Sequence, residues 1–390
     1  MTINKSKLYE NFGNIENTNA ISNFGVTSCN VLSSTENIES NTGFYLLLFI
    51  LVIFIIIFII FYCKGYNLLK NKIDETIYKR FKKEVKHKKN DIIKGSQRHK
   101  KKSKSKKKNN KYLPVKQNNN NSLNAFLNKK QNKNNAEENI SQVIGKDNNI
   151  TDIFEISNIK PDTDYEFNWL SYKAALRFDK RSGCEYYASL IRSKQLFMFT
   201  FCSFNDYNSG ILKKFIFFLS FALHYTVNAL FFNNSNMHQI YEDEGKYNFE
   251  YQFPYIIISA IVSTLVLRLI LQFLVLTDKD ILEVKIQPTK ESAIKIKVKK
   301  LKCIKIKLLI FFVLIFILLT LFWYYLTCFN AVYENTQIYL IENTFISFGF
   351  SLMYPFIINI FPTVIRMKAI HSSKKNKECL YNTSKIIQLL

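Results

Sequence analysis

None of the five long apolar runs in this chain contains an aspartate or a glutamate. Ion-coupled pathways through membranes are built on such carboxylates or on paired charges, so their absence weighs against a pump or coupled transporter. Also missing are a phosphate-binding loop, a nucleophile elbow, a His/Glu zinc motif and a Cys-x-x-Cys pair. Each of these sets reactive or ligating groups at a fixed spacing; without them no group of residues argues for an enzyme, a metal ion or a cofactor. Cysteine is scarce, at 7 of 390 residues, and supplies no disulfide framework. A Cys29–Cys328 bridge is open, but nothing in the spacing requires it.

What the chain does have is apolar length. Gly43–Cys63, Ile211–Phe232, Pro254–Thr277, Leu308–Cys328 and Thr344–Ile365 hold 21 to 24 residues each. At ~1.5 Å per residue, each can cross a hydrocarbon core ~30 Å thick. The expected fold is therefore all-α, a polytopic membrane helix bundle of five transmembrane helices. The first run follows 42 mostly polar residues and has no small-residue cleavage site, so it reads as an uncleaved signal anchor.

Lysine and arginine fix the expected orientation. With the N-terminus outside and the C-terminus inside, residues 64–214, 278–307 and 366–390 carry 34, 10 and 6 basic residues. The outer segments carry Lys5, Lys7 and Lys246 alone. The excess of positive charge on cytosolic loops thus recurs at three separate places.

Composition divides the chain further. Residues 1–42 are an Asn-, Ser- and Thr-rich outer arm expected to be disordered. The signal anchor, 43–63, is followed by a cytosolic tether over 64–162, first basic and then Asn-rich. The four-span core occupies 163–390, with amphipathic helices on its inner face. In the tether, Leu69, Ile73, Ile77 and Phe81 repeat every four residues, which predicts a charged helix. Cys184, Tyr187, Leu190 and Ile191 predict the apolar face of a surface helix ending near Arg192 and Lys194. Residues 294–300 alternate Ile or Val with Lys, as a strand would, yet Ile294, Val298, Leu301 and Leu308 also form a helical stripe. We favour the helix, with lysines reaching to lipid phosphates.

Several residues carry candidate chemistry. Lys100, Lys101, Lys102, Lys104, Lys106, Lys107 and Lys108 form a run that can bury nothing. Beside a membrane it would attract anionic lipid of the inner leaflet at ~1 kcal/mol per residue, and phosphate on Ser103 or Ser105 would weaken that hold. A cytosolic protein partner is the competing reading; nucleic acid is disfavoured, because the run lacks interleaved aromatics and is tied to a membrane anchor. Cys63 and Cys303 flank basic inner membrane edges, where reversible acylation is chemically reasonable. Arg268 lies within the third run, nine residues from its inner end or ~13 Å deep at helical rise. Asn359 sits at similar depth in the fifth, and its amide oxygen could accept from the guanidinium. Such a pair is either an anion or headgroup site on a polar pathway, or a snorkelling arginine with one interhelical hydrogen bond. His224 and Asn228 share a face of the second run with Ser220 nearby, as structural glue or as a polar seam. Pro355 and Pro362, with Gly349, interrupt the fifth run, where a break could open a cavity. His238 and Glu242 lie four apart in an acidic outer loop, a poor metal ligand set.

Residues from about 165 to 390 also carry a resemblance. Its segments are Leu176–Arg181, Asn205–Asn208, Leu223–Phe232, Met237–Asp243, Ala331–Ile338 and Ser351–Phe356. In them the chain resembles an uncharacterised family of multi-spanning membrane proteins from AT-rich protist genomes, ciliates above all. The resemblance implies a helical membrane protein and no activity, so it transfers no site. Two functions stay open. One is a non-enzymatic scaffold or anchor that contacts anionic lipid or protein through its basic segment. The other is a channel or transporter with a polar pathway near Arg268 and Asn359.

Overall fold

The computed structural model describes residues 39–82, 160–202, 206–232, 236, 240, 248–371 and 377–389. Every regular element among them is helical, and five helices are long and apolar enough to cross a membrane. The polybasic run, Cys29, His238 and Glu242 lie outside the described residues.

The chain divides into two compact units. The first contains residues up to Asn67, Arg181–Thr277 and Ile304–Leu390. Its helices are α1 (Thr42–Ile60), α4 (Gly183–Lys194), α5 (Leu196–Phe201), α6 (Gly210–Phe231) and α7 (Phe249–Ile270). They are joined by α10 (Gln337–Ile358), α11 (Ile360–Ile370) and α12 (Glu378–Leu389). The second unit, Leu68–Lys180 and Asp278–Cys303, holds the helical residues 66–82 from Leu68 on. It also holds α2 (Asp164–Asn168), α3 (Tyr172–Phe178) and α8 (Asp278–Lys285). The 43-residue α9 (Lys290–Val332) contributes to both units.

Local chemistry sets where these helices begin. Asn41 caps α1, its side chain accepting from the Phe44 amide at 2.9 Å. Ser182 and Glu185 form a reciprocal capping box at the start of α4. Two long helices end in π turns, Phe61–Gly65 after α1 and Leu271–Val275 after α7. The fifth span is two helices. Pro362 has no amide hydrogen to offer the preceding turn, so the ladder breaks at Asn359. Side chains cover the break: the Asn359 amide donates to the Pro355 carbonyl and the Thr363 hydroxyl to the Asn359 carbonyl, both at 2.7 Å.

In the first unit α6 is the central helix: 67% of its apolar window is buried, against 22–28% for the other four. Exposed Phe49, Val52, Ile56 and Ile59 on α1 are surfaces suited to lipid. Lipid tails are as apolar as leucine, so hydrophobic transfer does little to bring such helices together; shape and polar contacts must do so. Aromatic interdigitation supplies the shape, with Phe54 5.2 Å from Phe215 and 6.1 Å from Phe312 between ring centres. Leu47, Ile50 and Phe54 of α1 are buried in this unit. Gly43 explains how close α1 comes: a Cβ there would lie 2.2 Å from the Asn330 amide nitrogen. Around it Asn330 donates to the Tyr225 hydroxyl at 3.0 Å, and Gln337 accepts from the amide and hydroxyl of Thr42. Buried Asn343 donates to Gln252 at 3.0 Å, joining α10 to α7.

The second unit closes on an ion pair. Lys285 and Glu166, 3% and 0% exposed in their side chains, meet at 2.8 Å. Asp162 adds a carboxylate to Lys285 at 3.2 Å and donates its backbone amide to Glu166. Arg80 donates to the Lys285 carbonyl. Burial first, and then the carboxylates of Asp278, Asp280 and Glu283, push the Tyr165 phenol above its ordinary range. The expected stripe on residues 66–82 is present, with Leu69, Ile73 and Ile77 buried. Residues 294–300 are helical, as favoured, but the buried seam is Ala293, Leu301, Ile304 and Leu308, with Ile294 and Val298 exposed.

Candidate functional site

Arg268, in the last turn of α7, donates from Nη2 to the hydroxyl of Tyr354 on α10 at 2.9 Å. The two line a small cavity with Lys194, Pro355, Ile358, Asn359, Ile387 and Gln388. Its volume is about 10 Å³, room for the centre of about one water molecule. Four elements build it: the last residue of α4, the end of α7, the broken end of α10 and the last turns of α12. The break in the fifth span borders this cavity, and Asn359 lines it together with Arg268. The partner expected for the guanidinium was the side-chain amide oxygen of Asn359; the hydroxyl of Tyr354 meets it, while the Asn359 side-chain nitrogen donates to its own helix at the Pro355 carbonyl.

The cavity is electrostatically one-sided. Its described lining residues include two cations and no carboxylate. Burial, and then the charge of Arg268, push the Lys194 ammonium down to about 8. Both causes disfavour the charged form, burial by removing water and Arg268 by repulsion. Tyr354, Asn359 and Gln388 supply a hydroxyl and two amides. The arrangement fits an anionic oxygen, since its charged groups all donate.

The surrounding helices hold the walls. Tyr187 donates to the Phe356 carbonyl at 2.8 Å and Gln195 to the Leu352 carbonyl at 3.3 Å, fixing α4 against α10. Arg366 of α11 is fully buried, its guanidinium 4.6 Å from the ring of Tyr186 and 4.7 Å from that of Tyr381. This clamp joins α4, α11 and α12, and the Tyr186 hydroxyl donates to Gln388 at 3.4 Å. It also corrects the expected face of α4: Tyr186, Ser189, Leu190 and Ile191 are buried, and Cys184 is exposed.

His224 and Asn228 do not line this cavity. Both are buried in α6. Asn228 donates to Ser347 of α10 at 2.7 Å, an interhelical bond of the glue kind. His224 holds the Ser220 carbonyl through Nδ1 at 2.7 Å, and its Nε2 has no hydrogen-bond partner among the described residues. Ser347 is seven residues before Tyr354, so the contact lies about two turns of α10, or ~10 Å, from the cavity. The four candidate pathway residues thus form two separate polar places.

Cys63 and Cys303 are both exposed. No group of three or more His, Cys, Asp and Glu suited to a metal ion occurs among the described residues. In the first turn of α6, buried Lys213 pairs with Asp206 and lies 4.8 Å from the ring centre of Phe199. Thr277 is tied to the same segment by its amide donating to Asn208 at 2.9 Å. Sequence reasoning missed Lys194, Tyr354 and Gln388 as cavity residues. The one usable signal was the repeat of Tyr381, Ser384 and Gln388 along one face of α12. No family model matches the chain, and no curated protein or solved structure is significantly similar to it.

Proposed function

We propose that the chain is a non-enzymatic membrane scaffold or anchor whose basic cytosolic segments hold anionic lipid or a protein partner. Residues 64–214, 278–307 and 366–390 face the cytosol in this reading. The observation that carries it is the form of the helices that leave the apolar runs. Residues 66–82 bury Leu69, Ile73 and Ile77 and expose Lys70, Lys79 and Lys82. The first turns of α9 bury Ala293, Leu301 and Ile304 and expose Lys295, Lys299 and Lys302. Apolar burial on one side leaves the ammonium groups on the other, where each attracts anionic headgroups by ~1 kcal/mol near the surface. The polybasic run at Lys100–Lys108 would add to the same field.

The competing pathway reading has less support, because the Arg268 cavity is about 10 Å³ and stands apart from His224 and Asn228. Binding of the full chain, in neutral nanodiscs, to vesicles with and without phosphatidylserine tests the scaffold reading. Binding that requires phosphatidylserine and weakens steeply with salt is expected. Equal binding to neutral vesicles, or none to either, overturns it.

A further inference from the structure

We propose that the short helix α5 is seated in the acyl chains of the inner leaflet, as a re-entrant wedge that enters and leaves by one face of the membrane. The proposal rests on the membrane reading above, and the partner of α5 is the lipid hydrocarbon itself. Its six residues, ~9 Å at helical rise, are too few to cross a hydrocarbon core of ~30 Å.

Three observations place α5 there. The first is which side of it is covered. Phe199 and Thr200 are buried, whereas Phe197 and Phe201, four residues apart on one face, are 46% and 44% exposed. Two neighbouring phenylalanine rings left uncovered form a surface that hydrocarbon accepts and water disfavours. The second is depth. The rings of Phe197 and Phe201 lie 5.0 Å apart, and 6.4 and 5.7 Å from the ring of Phe217 on α6. The row continues from Phe217 to Phe348 of α10 at 5.4 Å. Phe217 belongs to a helix apolar enough to cross a membrane and follows exposed Lys214 by three residues, ~5 Å at helical rise. With the Lys214 ammonium at the lipid phosphates, the rings fall in the zone ~5–10 Å deep where interfacial helices bury their apolar face.

The third observation is how the polar groups around α5 are satisfied. Within lipid no water is present to take them, so the protein must. The Gln195 side chain donates to the Leu352 carbonyl at 3.3 Å and accepts from the Met198 amide, closing the turn that leads in from α4. At the other end the Thr200 hydroxyl donates to the Lys213 carbonyl at 3.3 Å and the Cys202 amide to the Met198 carbonyl at 2.8 Å. The resulting hold on lipid is apolar, so it depends on neither headgroup charge nor salt, unlike the attraction exerted by the lysines.

The chain has two tryptophans, Trp169 and Trp323, which allows a direct test with the full chain in phosphatidylcholine bilayers. Trp169→Phe leaves Trp323, in a helix long and apolar enough to cross, as the reporter of insertion. Trp169→Phe/Trp323→Phe/Phe201→Trp carries a single indole on α5. Phosphatidylcholines brominated near the headgroup end or near the methyl end of their chains quench from within the lipid, and iodide quenches from water. The α5 indole should lose most of its emission to the shallow bromines, less to the deep ones and little to iodide. Phe197→Trp in place of Phe201→Trp should behave alike, which keeps the test open if one variant does not fold. Strong quenching by iodide with none by the brominated lipids overturns the proposal, as does the reverse order of the two lipids. An indole that neither quencher reaches also overturns it, because protein such as a second copy then covers α5. Loss of bromine quenching at Trp323 as well overturns the membrane reading beneath the proposal, so the two failures are told apart.

Discussion

Replacing Lys194 by Met should make the protein more stable at pH 7, although it removes a surface-helix lysine. Lys194 is partly buried at the end of α4 and lines one cavity with Arg268 of α7 and Tyr354 of α10. Burial and then Arg268 hold its folded-state value at about 8, below the ordinary 10.5. Below pH 8 the amine is charged in both states, so the folded protein carries the full penalty. Between pH 8 and 10.5 the folded form has lost its proton while the unfolded form keeps it, and stability rises with pH. Above 10.5 the penalty is gone. At about 1.4 kcal/mol per pH unit, this interval caps the penalty at about 3 kcal/mol. Solvent at the open side of the site reduces it to about 1–2 kcal/mol. Methionine fills similar volume without charge, so the variant should unfold a few degrees higher at pH 7 and converge with the wild type near pH 10.5. The assay is the apparent Tm in detergent across pH 6.5–10.5 without phosphate. A variant less stable at pH 7, or one with the same pH slope as the wild type over pH 8–10.5, refutes the reasoning.

Other sites give independent tests. Gly43→Ala should cost about 1–3 kcal/mol, because the new methyl falls on the Asn330 amide that holds Tyr225; thermal unfolding reads the loss, and an unchanged Tm contradicts the close approach of α1. Lys285→Met should destabilise by about 3–5 kcal/mol by stranding buried Glu166, and Glu166→Gln added to it should recover much of that; additive losses would show that the two do not act as a pair. Asn228→Ala and Ser347→Ala should each cost under about 1 kcal/mol, and a double mutant no worse than either single confirms their bond.

Much of the architecture is legible in the sequence because it follows from periodicity and length. Five apolar runs become five long apolar helices, and Leu69, Ile73 and Ile77 become a buried stripe. Where two periods competed, over Ile294–Lys300, the backbone is helical. The phase of short helices is less legible. The capping box at Ser182 starts α4 so that Tyr186 faces inward toward Arg366, a partner far along the chain. The exposed Ile294 and Val298 show the same limit, since which side of a helix is covered depends on which neighbour arrives. Arg268 stood out as a charge in an apolar run. Its surroundings did not, because Lys194, Tyr354 and Gln388 come from three other helices and have no common spacing. Gly43 gave no signal at all; its role is defined only by the Asn330 side chain opposite.

The measurement that bears most directly on the scaffold reading is ionic flux across proteoliposomes holding the full chain, beside an Arg268→Gln variant. Tight vesicles in both cases, from protein shown to be folded and inserted, are what a closed bundle with a cavity of about 10 Å³ predicts. Flux through the wild type that Arg268→Gln changes would contradict it and make the Arg268 cavity part of a conducting pathway.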